Sequence, residues 1–598
     1  MSMYDPPITA QPEPTDRDDS GGMLHRVVDF RGGIFDSLAL QRPPGQAQRE
    51  GTFQCMTDDA GALVPAPRLA ATITRDPADL GSPTLLNEQF RISGIYGNAP
   101  VYSFTDPDDY NTTGPDENHT EIFMALEWWT SPGDLHLEVA RYRRNLETPV
   151  WEQVWTRNYP TGTYDVRTRP RNCVFFSQLS NPSDPLSGGP RVVAWVFSAN
   201  ARVFPDPANP TVSATVPLPA DAVGDPQPFV DPTWGLGHQG RFVILPLYVT
   251  GDGSNGQVYV SSETGYWTPP NDHSQRDPNL SLWFNILGGY EEGSGYGALA
   301  SLTADELFLV KLRGGAIFIA GDLNSPDEVR TLPYVRSTGM SLCDGTRCYL
   351  GYAYPVDSSG VWLWSGGDTS EHVTKHLNGE FWRPTPVAPA YPPEGEDPSA
   401  TGWGHGNTQA TWWNEFSLFP NNWMWDTDHR GWWRLLDPDF IEVHKWTSDE
   451  RGRLAWGAPS GFTTVTDPVA YEFSRDAGAT LWQWRSHPLT HTVDREYRVT
   501  DVIISGYGKG KVAVAFEDPN TRAEIGEVVV EFDDDERIQK KRVETNAVGS
   551  SLIMRILSVG ADHDESKGSI DLAATVDAPT VVSVDYRTTP ANTFRSES

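Results

Sequence analysis

Short apolar or alternating runs, each closed by Gly, Pro, Asp or Asn, recur along most of this 598-residue chain. Val192–Phe197, Arg241–Val249 and Glu306–Lys311 are of this kind. Alternation with a period of two, punctuated by turn residues, predicts half-buried strands. Stripes at the 3.6-residue spacing of an amphipathic helix are almost absent, so the pattern predicts an all-β fold.

Between about 295 and 485 the runs acquire a family likeness. Leu302 to Asp322 reads as a strand, a turn at Arg313-Gly314-Gly315, and a second strand at Ala316–Ile319. Met340 to Gly366 repeats this with a turn at Asp344-Gly345 and strands at Tyr349–Tyr352 and Val361–Trp364. Thr411 to Leu436 does so again, with Asn422–Asp426, a turn over Thr427–Arg430, and Gly431–Arg434. Leu454–Gly457 and Ala470–Phe473 continue the series. Aromatic-rich hairpins about 40 to 50 residues apart predict the blades of a degenerate β-propeller.

The texture changes near 485 to 492, where tryptophan ends at Trp484. Beyond it come Val499–Ile504, Lys511–Phe516, Glu527–Phe532, Ser551–Ile556 and Thr580–Tyr586, short strands rich in valine and charge. Five strands in about 100 residues predict a compact C-terminal β-sandwich. The expected organisation is a flexible N-terminal segment (1–22), a propeller-like body with proline-rich insertions (23–487) and a sandwich domain (488–598).

Charge narrows the function. The net charge of −34 argues against gripping nucleic-acid phosphates, which takes clustered Lys and Arg, but does not prevent DNA from passing. The 22 tryptophans, several in doublets, suit blade packing, with sugar stacking as the alternative use. Cys55, Cys173, Cys343 and Cys348 make no disulfide framework in a chain this long. Cys343 and Cys348 flank an Asp-Gly turn, and no second pair of ligands accompanies them, so no metal and no cofactor is expected. The opening residues lack the basic start and apolar core of a signal peptide, and no apolar run approaches membrane-spanning length.

Several stretches carry a resemblance. Val27-Val-Asp-Phe-Arg-Gly-Gly-Ile-Phe35, followed by Cys55 to Arg68, resembles the opening of many tailed-bacteriophage virion proteins. Leu481-Trp-Gln-Trp-Arg-Ser-His-Pro488 is similar to the exit from the propeller in those proteins, and Lys541–Val543, Met554–Ile556 and Ser583–Arg587 resemble their closing sandwich. The family is the tail-nozzle, tail-tube-B-like and minor tail β-propeller group. The resemblance implies a non-enzymatic structural protein of the tail, made in the host cytoplasm and placed in the virion. It further implies assembly with other tail proteins, as a cyclic homo-oligomer with six-fold symmetry favoured over three-fold. Genomic DNA would pass through without specific binding.

Candidate sites are few. Asp106–Asp109 and Asp533–Glu536 are carboxylate clusters without the spaced oxygens of a dedicated calcium loop. Gly251–Gly256 has no lysine for a phosphate cradle, and Gly293-Ser294-Gly295 lacks a nucleophile elbow. Glu127-Trp128-Trp129 and Asp426 to Trp433 place tryptophan beside carboxylate, which keeps open an alternative: a receptor- or glycan-binding propeller, or a glycan hydrolase. No catalytic residue is assigned.

Overall fold

Two asparagines set the geometry of one repeat. Asn414 and Asn422 hold a left-handed backbone, with φ of 48° and 62°, which asparagine tolerates because its short amide bonds locally. Asn414 opens the two-residue turn between Thr411–Trp413 and Phe416–Phe419, a loop length whose twist matches that of paired strands. Asn422 leads into Trp423–Asp426, and its Oδ1 accepts the Val443 N–H at 3.0 Å from the next repeat. Trp432–Arg434 completes a four-stranded antiparallel sheet.

A computed structural model of the chain describes residues 23–35, 45–74, 89–98, 118–131, 134–148, 150–159, the strands between 174 and 364, 370–377, 411–419, 422–435, 443–449, 452–459, 462–464, 468–474, 481–489, 496–559 and 579–591. Among these residues there is no helix, and seven sheets of three to five strands follow one another along the chain. Their first strands are neighbours in turn. Gln89–Asn98 lies beside Val174–Leu179, which lies beside Phe229–His238, which lies beside Tyr296–Thr303. At the far end Thr411–Trp413 lies beside Val443–Ser448, which returns to Gln89–Asn98. This circular order is that of a β-propeller, which repeats radially and leaves only short edges. Exchanged strands close it: Arg68–Thr74 pairs with Pro468–Ser474 of the last sheet, and Phe462–Thr464 with Gln89–Asn98 of the first.

The terminal β domain is one sheet of eight strands. Cys55–Thr57, Leu63–Pro65, Thr580–Pro590, Tyr497–Glu517, Ile553–Val559 and Gln483–Arg485 are neighbours in that order. Phe53 and Gln483 exchange backbone hydrogen bonds of 2.9 and 3.0 Å, so the order returns almost to its start. The expected sandwich therefore takes the form of a sheet wrapped nearly into a barrel, filled by Val499, Val502, Ile504, Val514, Phe516 and Ile556. Gly508 and Gly510, at φ of 100° and 122°, bend the Tyr497–Glu517 strand. Its first half thus pairs with Thr580–Pro590 and its second with Ile553–Val559.

Met23–Val27 and Glu524–Gly549 extend this sheet on either side. The N-terminal strands, assigned to the propeller body on sequence alone, are thus hydrogen-bonded to the chain's C-terminal end. Strands of three to five residues are too short to make a blade by themselves, and their partners lie more than 500 residues away. One apolar core runs from the last blades into the terminal sheet, through Trp413, Trp432, Trp446, Trp482 and Trp484. Phe30 meets Trp484 edge-on, with ring centroids 5.2 Å apart.

Candidate functional site

The Asp426–Trp433 stretch forms a turn and a core. Asp426 is 1% exposed; its Oδ1 accepts the N–H groups of Asp428 and His429 at 3.0 and 2.9 Å, and its Oδ2 faces His429 Nδ1 at 2.9 Å. The carboxylate caps its own turn. Trp423, Trp425, Trp432 and Trp433 are buried, and Trp432 Nε1 donates to the Val373 carbonyl at 3.0 Å. A sugar platform needs an open ring face, so these four rings are packing groups. The side chains of Glu127, Trp128 and Trp129 lie outside the described residues, as do Asp106–Asp109, Gly251–Gly256, Gly293–Gly295, Cys173, Cys343 and Cys348.

Cys55 is buried, its Sγ lies 3.3 Å from the Gln483 carbonyl, and burial pushes its thiol pKa up, which leaves it unreactive. Among the described residues no group of three or more His, Cys, Asp or Glu is placed to hold a metal ion. In the carboxylate run Asp533–Glu536, Asp534 Oδ1 accepts the Arg537 N–H at 3.1 Å and Asp533 Oδ1 accepts Gln539 Nε2 at 2.5 Å. Those bonds shape a turn.

The seam between propeller and terminal sheet is more elaborately built. The Ile34 N–H donates to the Trp432 carbonyl at 2.8 Å, and the Gln54 N–H to the Arg434 carbonyl at 2.9 Å. Gly33 makes this approach possible. Its φ is +57°, and a Cβ there would stand 2.6 Å from the Trp432 nitrogen, so the Gly-Gly pair of the sequence answers a steric demand. Beside it Arg31 grips Asp29 with two bonds of 2.9 Å. Burial works to raise the Asp29 carboxyl, but the Arg31 hydrogen bonds outweigh it and hold the group below its usual range.

Within the terminal sheet, beside that seam, the buried Arg485 donates through Nη2 to Glu517 Oε2 at 2.7 Å and through Nη1 to the Glu50 carbonyl at 3.3 Å. Arg555 reaches the other oxygen of Glu517 at 3.0 Å and Glu524 at 2.9 Å. Arg522 pairs with the Glu50 carboxylate and holds it below the usual range. Four separate stretches of chain meet in this network, which fixes their relative positions. Composition signalled none of it, because no short-range spacing links Glu50, Arg485, Glu517 and Arg555.

The other notable surface is the strand Glu524–Gly549. Among the described residues this 26-residue strand pairs only with Tyr497–Glu517. Its ladder shifts register at three places, most widely where Gly508 faces Asp534 and Gly506 faces Gln539, so residues 535–538 stand outside the register. Ile538, 59% exposed, lies in that excursion.

No protein-family model matches this chain, and no curated protein matches it. Among solved structures, similar ones include a gluconolactonase from Xanthomonas campestris (TM-score 0.27; 8% identity; 69% of this chain and 98% of that one). An arabinoxylan arabinofuranohydrolase of glycoside hydrolase family 43 from Bacillus subtilis has TM-score 0.23 and 8% identity, over 85% of this chain and 96% of that one. A protein of unknown function from Dyadobacter fermentans has TM-score 0.30 and 8% identity, over 68% and 99%. Likeness at this level carries no argument about activity.

Proposed function

We propose that this chain is a non-enzymatic structural component of a bacteriophage tail, a nozzle or minor tail protein that assembles in the virion and contributes to the DNA exit path or the tail tip. One observation carries the reading. Two of the stretches that resemble tail proteins, residues 27–68 and 481–488, lie more than 400 residues apart yet form a single unit. The Gln48 N–H donates to the Arg485 carbonyl at 2.8 Å, Phe53 pairs with Gln483, and Ala47 bridges Ser486. The resembling segments are thus neighbours in one unit, from which the Ile34 N–H also reaches the Trp432 carbonyl of a propeller blade, and this supports the reading.

The strongly acidic composition supports the DNA-path part of this reading, because a carboxylate-lined wall repels phosphates and keeps an exiting genome from adhering. A cyclic homo-oligomer would bring this chain to the tail axis, with other tail proteins above and below. The deciding experiment is a reconstruction of a particle containing the chain. A six-fold ring around an acidic channel is the expected result. A three-fold or peripheral position facing the host would move the function to the tail tip or to receptor binding, and absence from the particle would overturn the proposal.

A further inference from the structure

The last blade meets the first through polar side chains. Along Val443–Ser448 successive side chains alternate between the two neighbouring blades. Trp446 and Ser448 face the preceding blade, where Trp446 Nε1 donates to the Phe419 carbonyl at 3.0 Å and Ser448 Oγ meets Thr411 Oγ1 at 2.8 Å. Lys445 and Thr447 face Gln89–Asn98 of the first blade. The buried Lys445 donates through Nζ to the Ile92 carbonyl at 2.7 Å, and Thr447 Oγ1 accepts the Gly97 N–H at 2.8 Å. A third contact joins the same two blades: Arg144 Nη1 donates to Glu472 Oε2 at 2.5 Å, with side chains 12% and 6% exposed.

Around these groups lies an apolar core drawn from both blades, with Ile92, Ile95 and Met124 of the first against Trp456 and Ala458 of the last. Burying charge costs solvation, and apolar groups of similar volume in its place are often neutral or stabilising, so stability does not account for a lysine here. Register does. Two exchanged strands close the ring, and a backbone ladder alone tolerates a slip of two residues, which keeps every side chain on its own face. Three residue pairs join Phe462–Thr464 to Gln89–Asn98, which is a short ladder to fix a register. The polar contacts oppose the slip. The ladder of Gln89–Asn98 skips Ser93 in a bulge beside Ile92, and that of Val443–Ser448 skips His444 beside Lys445, so donor and acceptor meet where both ladders are disrupted. A slip of two would carry Lys445 roughly 7 Å from that place. It would also put Ile95 or Ala99 where Gly97 lies, and even a Cβ on Gly97 would stand 2.5 Å from the Ser448 carbonyl oxygen.

We propose that Lys445, with Thr447 and the Arg144–Glu472 pair, is the register lock of propeller closure: it admits one docking of the last blade on the first and adds little net stability. The inference goes beyond the tail reading and does not rest on it.

The test is hydrogen exchange of the purified full chain, read by mass spectrometry on peptides covering residues 89–98 and 462–474, with 423–434 as the internal reference. The native chain should give one population in all of them. Lys445→Met, which keeps the reach of the side chain and removes its charge and donors, should melt within about 5 °C of the native chain. Its closing peptides should nonetheless split into two populations whose protection differs at least about tenfold, while 423–434 stays single. A single, natively protected population in Lys445→Met overturns the proposal. A folded variant that melts more than about 5 °C lower overturns it too, because the lysine would then supply stability. Where Lys445→Met does not accumulate as folded protein, the charge-neutral double variant Arg144→Met/Glu472→Leu takes the same test; a single population there, or failure of both variants to fold, equally overturns the register lock.

Discussion

Glu517→Gln isolates the worth of the charged network inside the terminal sheet. Glu517 is 7% exposed at its side chain and accepts from Arg485, itself 6% exposed, and from Arg555, 21% exposed. Glutamine keeps the shape but removes the charge that compensates both guanidinium groups. Removing one partner of a buried pair typically costs about 3–5 kcal/mol, because the remaining charge is left uncompensated. Arg555 keeps Glu524 and Arg485 keeps the Glu50 carbonyl, so the lower end, about 3 kcal/mol, is expected. For a domain of this size that lowers the melting temperature by roughly 6–12 °C. Urea unfolding followed by tryptophan fluorescence reads it out, since Trp482 and Trp484 flank the site. The double variant Arg485→Met/Glu517→Leu, which removes a charge of each sign, should recover most of the loss. The reasoning fails if Glu517→Gln costs less than about 1 kcal/mol, or if the loss disappears at about 0.5 M salt as it does for exposed pairs.

Other substitutions and conditions probe the same joint. Gly33→Ala, which forces a Cβ against the Trp432 backbone at positive φ, should cost about 2–4 kcal/mol in the same unfolding assay; a neutral result would mean the strap can move away. His25, stacked on Tyr586, is held down to about 4 by burial. Between pH 6.5 and 4 the unfolded chain therefore binds the extra proton, and stability falls as pH drops through that window. The loss is on the order of 2 kcal/mol, less than the full linkage value because the ring is partly exposed, and a His25→Phe variant with the same pH slope would refute it. Native Cys55 should resist a thiol reagent that modifies it in urea, with mass spectrometry as the readout. Cleavage engineered between residues 489 and 496 should leave both fragments together on a sizing column, because Met23–Val27 and Leu63–Pro65 pair with Thr580–Pro590; separation without denaturant would contradict that pairing.

Local chemistry was legible where it is local. The hairpin of Asn422–Asp426 and Gly431–Arg434 was legible because its strands and turn are adjacent in sequence, whereas Thr411–Trp413 and Phe416–Phe419, which complete the sheet, were not read as strands. The end of tryptophan at Trp484 coincides with the entry into the terminal sheet, because its core is built from Val, Ile and Phe on long twisted strands. What sequence concealed is pairing over distance. Arg68–Thr74 reads as an ordinary strand after a Pro/Arg stretch, and nothing within it names Pro468–Ser474 as its partner. Asp426 looked like a carboxylate offered beside tryptophan, yet it is spent on three bonds inside its own turn. Whether a carboxylate points out or caps a loop depends on backbone geometry, which composition does not carry.

The described positions from Met23 to Thr74 therefore act twice, and this orders the events of folding. Met23–Val27, Cys55–Thr57 and Leu63–Pro65 complete the terminal sheet, while Arg68–Thr74 closes the last blade. Both closures join residues roughly 400 to 560 apart, so their loop entropy falls due only after the chain between them has formed its own hairpins. Until then the first strands and the last blade have open edges, which are the surfaces most prone to wrong pairing. The seam answers this physically. Gly33 against Trp432, with the Ile34 and Gln54 N–H groups on the Trp432 and Arg434 carbonyls, makes propeller closure and sheet closure share one set of contacts. Completing one therefore presents the other with its partners already in place. A substitution at the seam should consequently slow both closures together, whereas one in a central blade should leave the terminal sheet's formation unchanged.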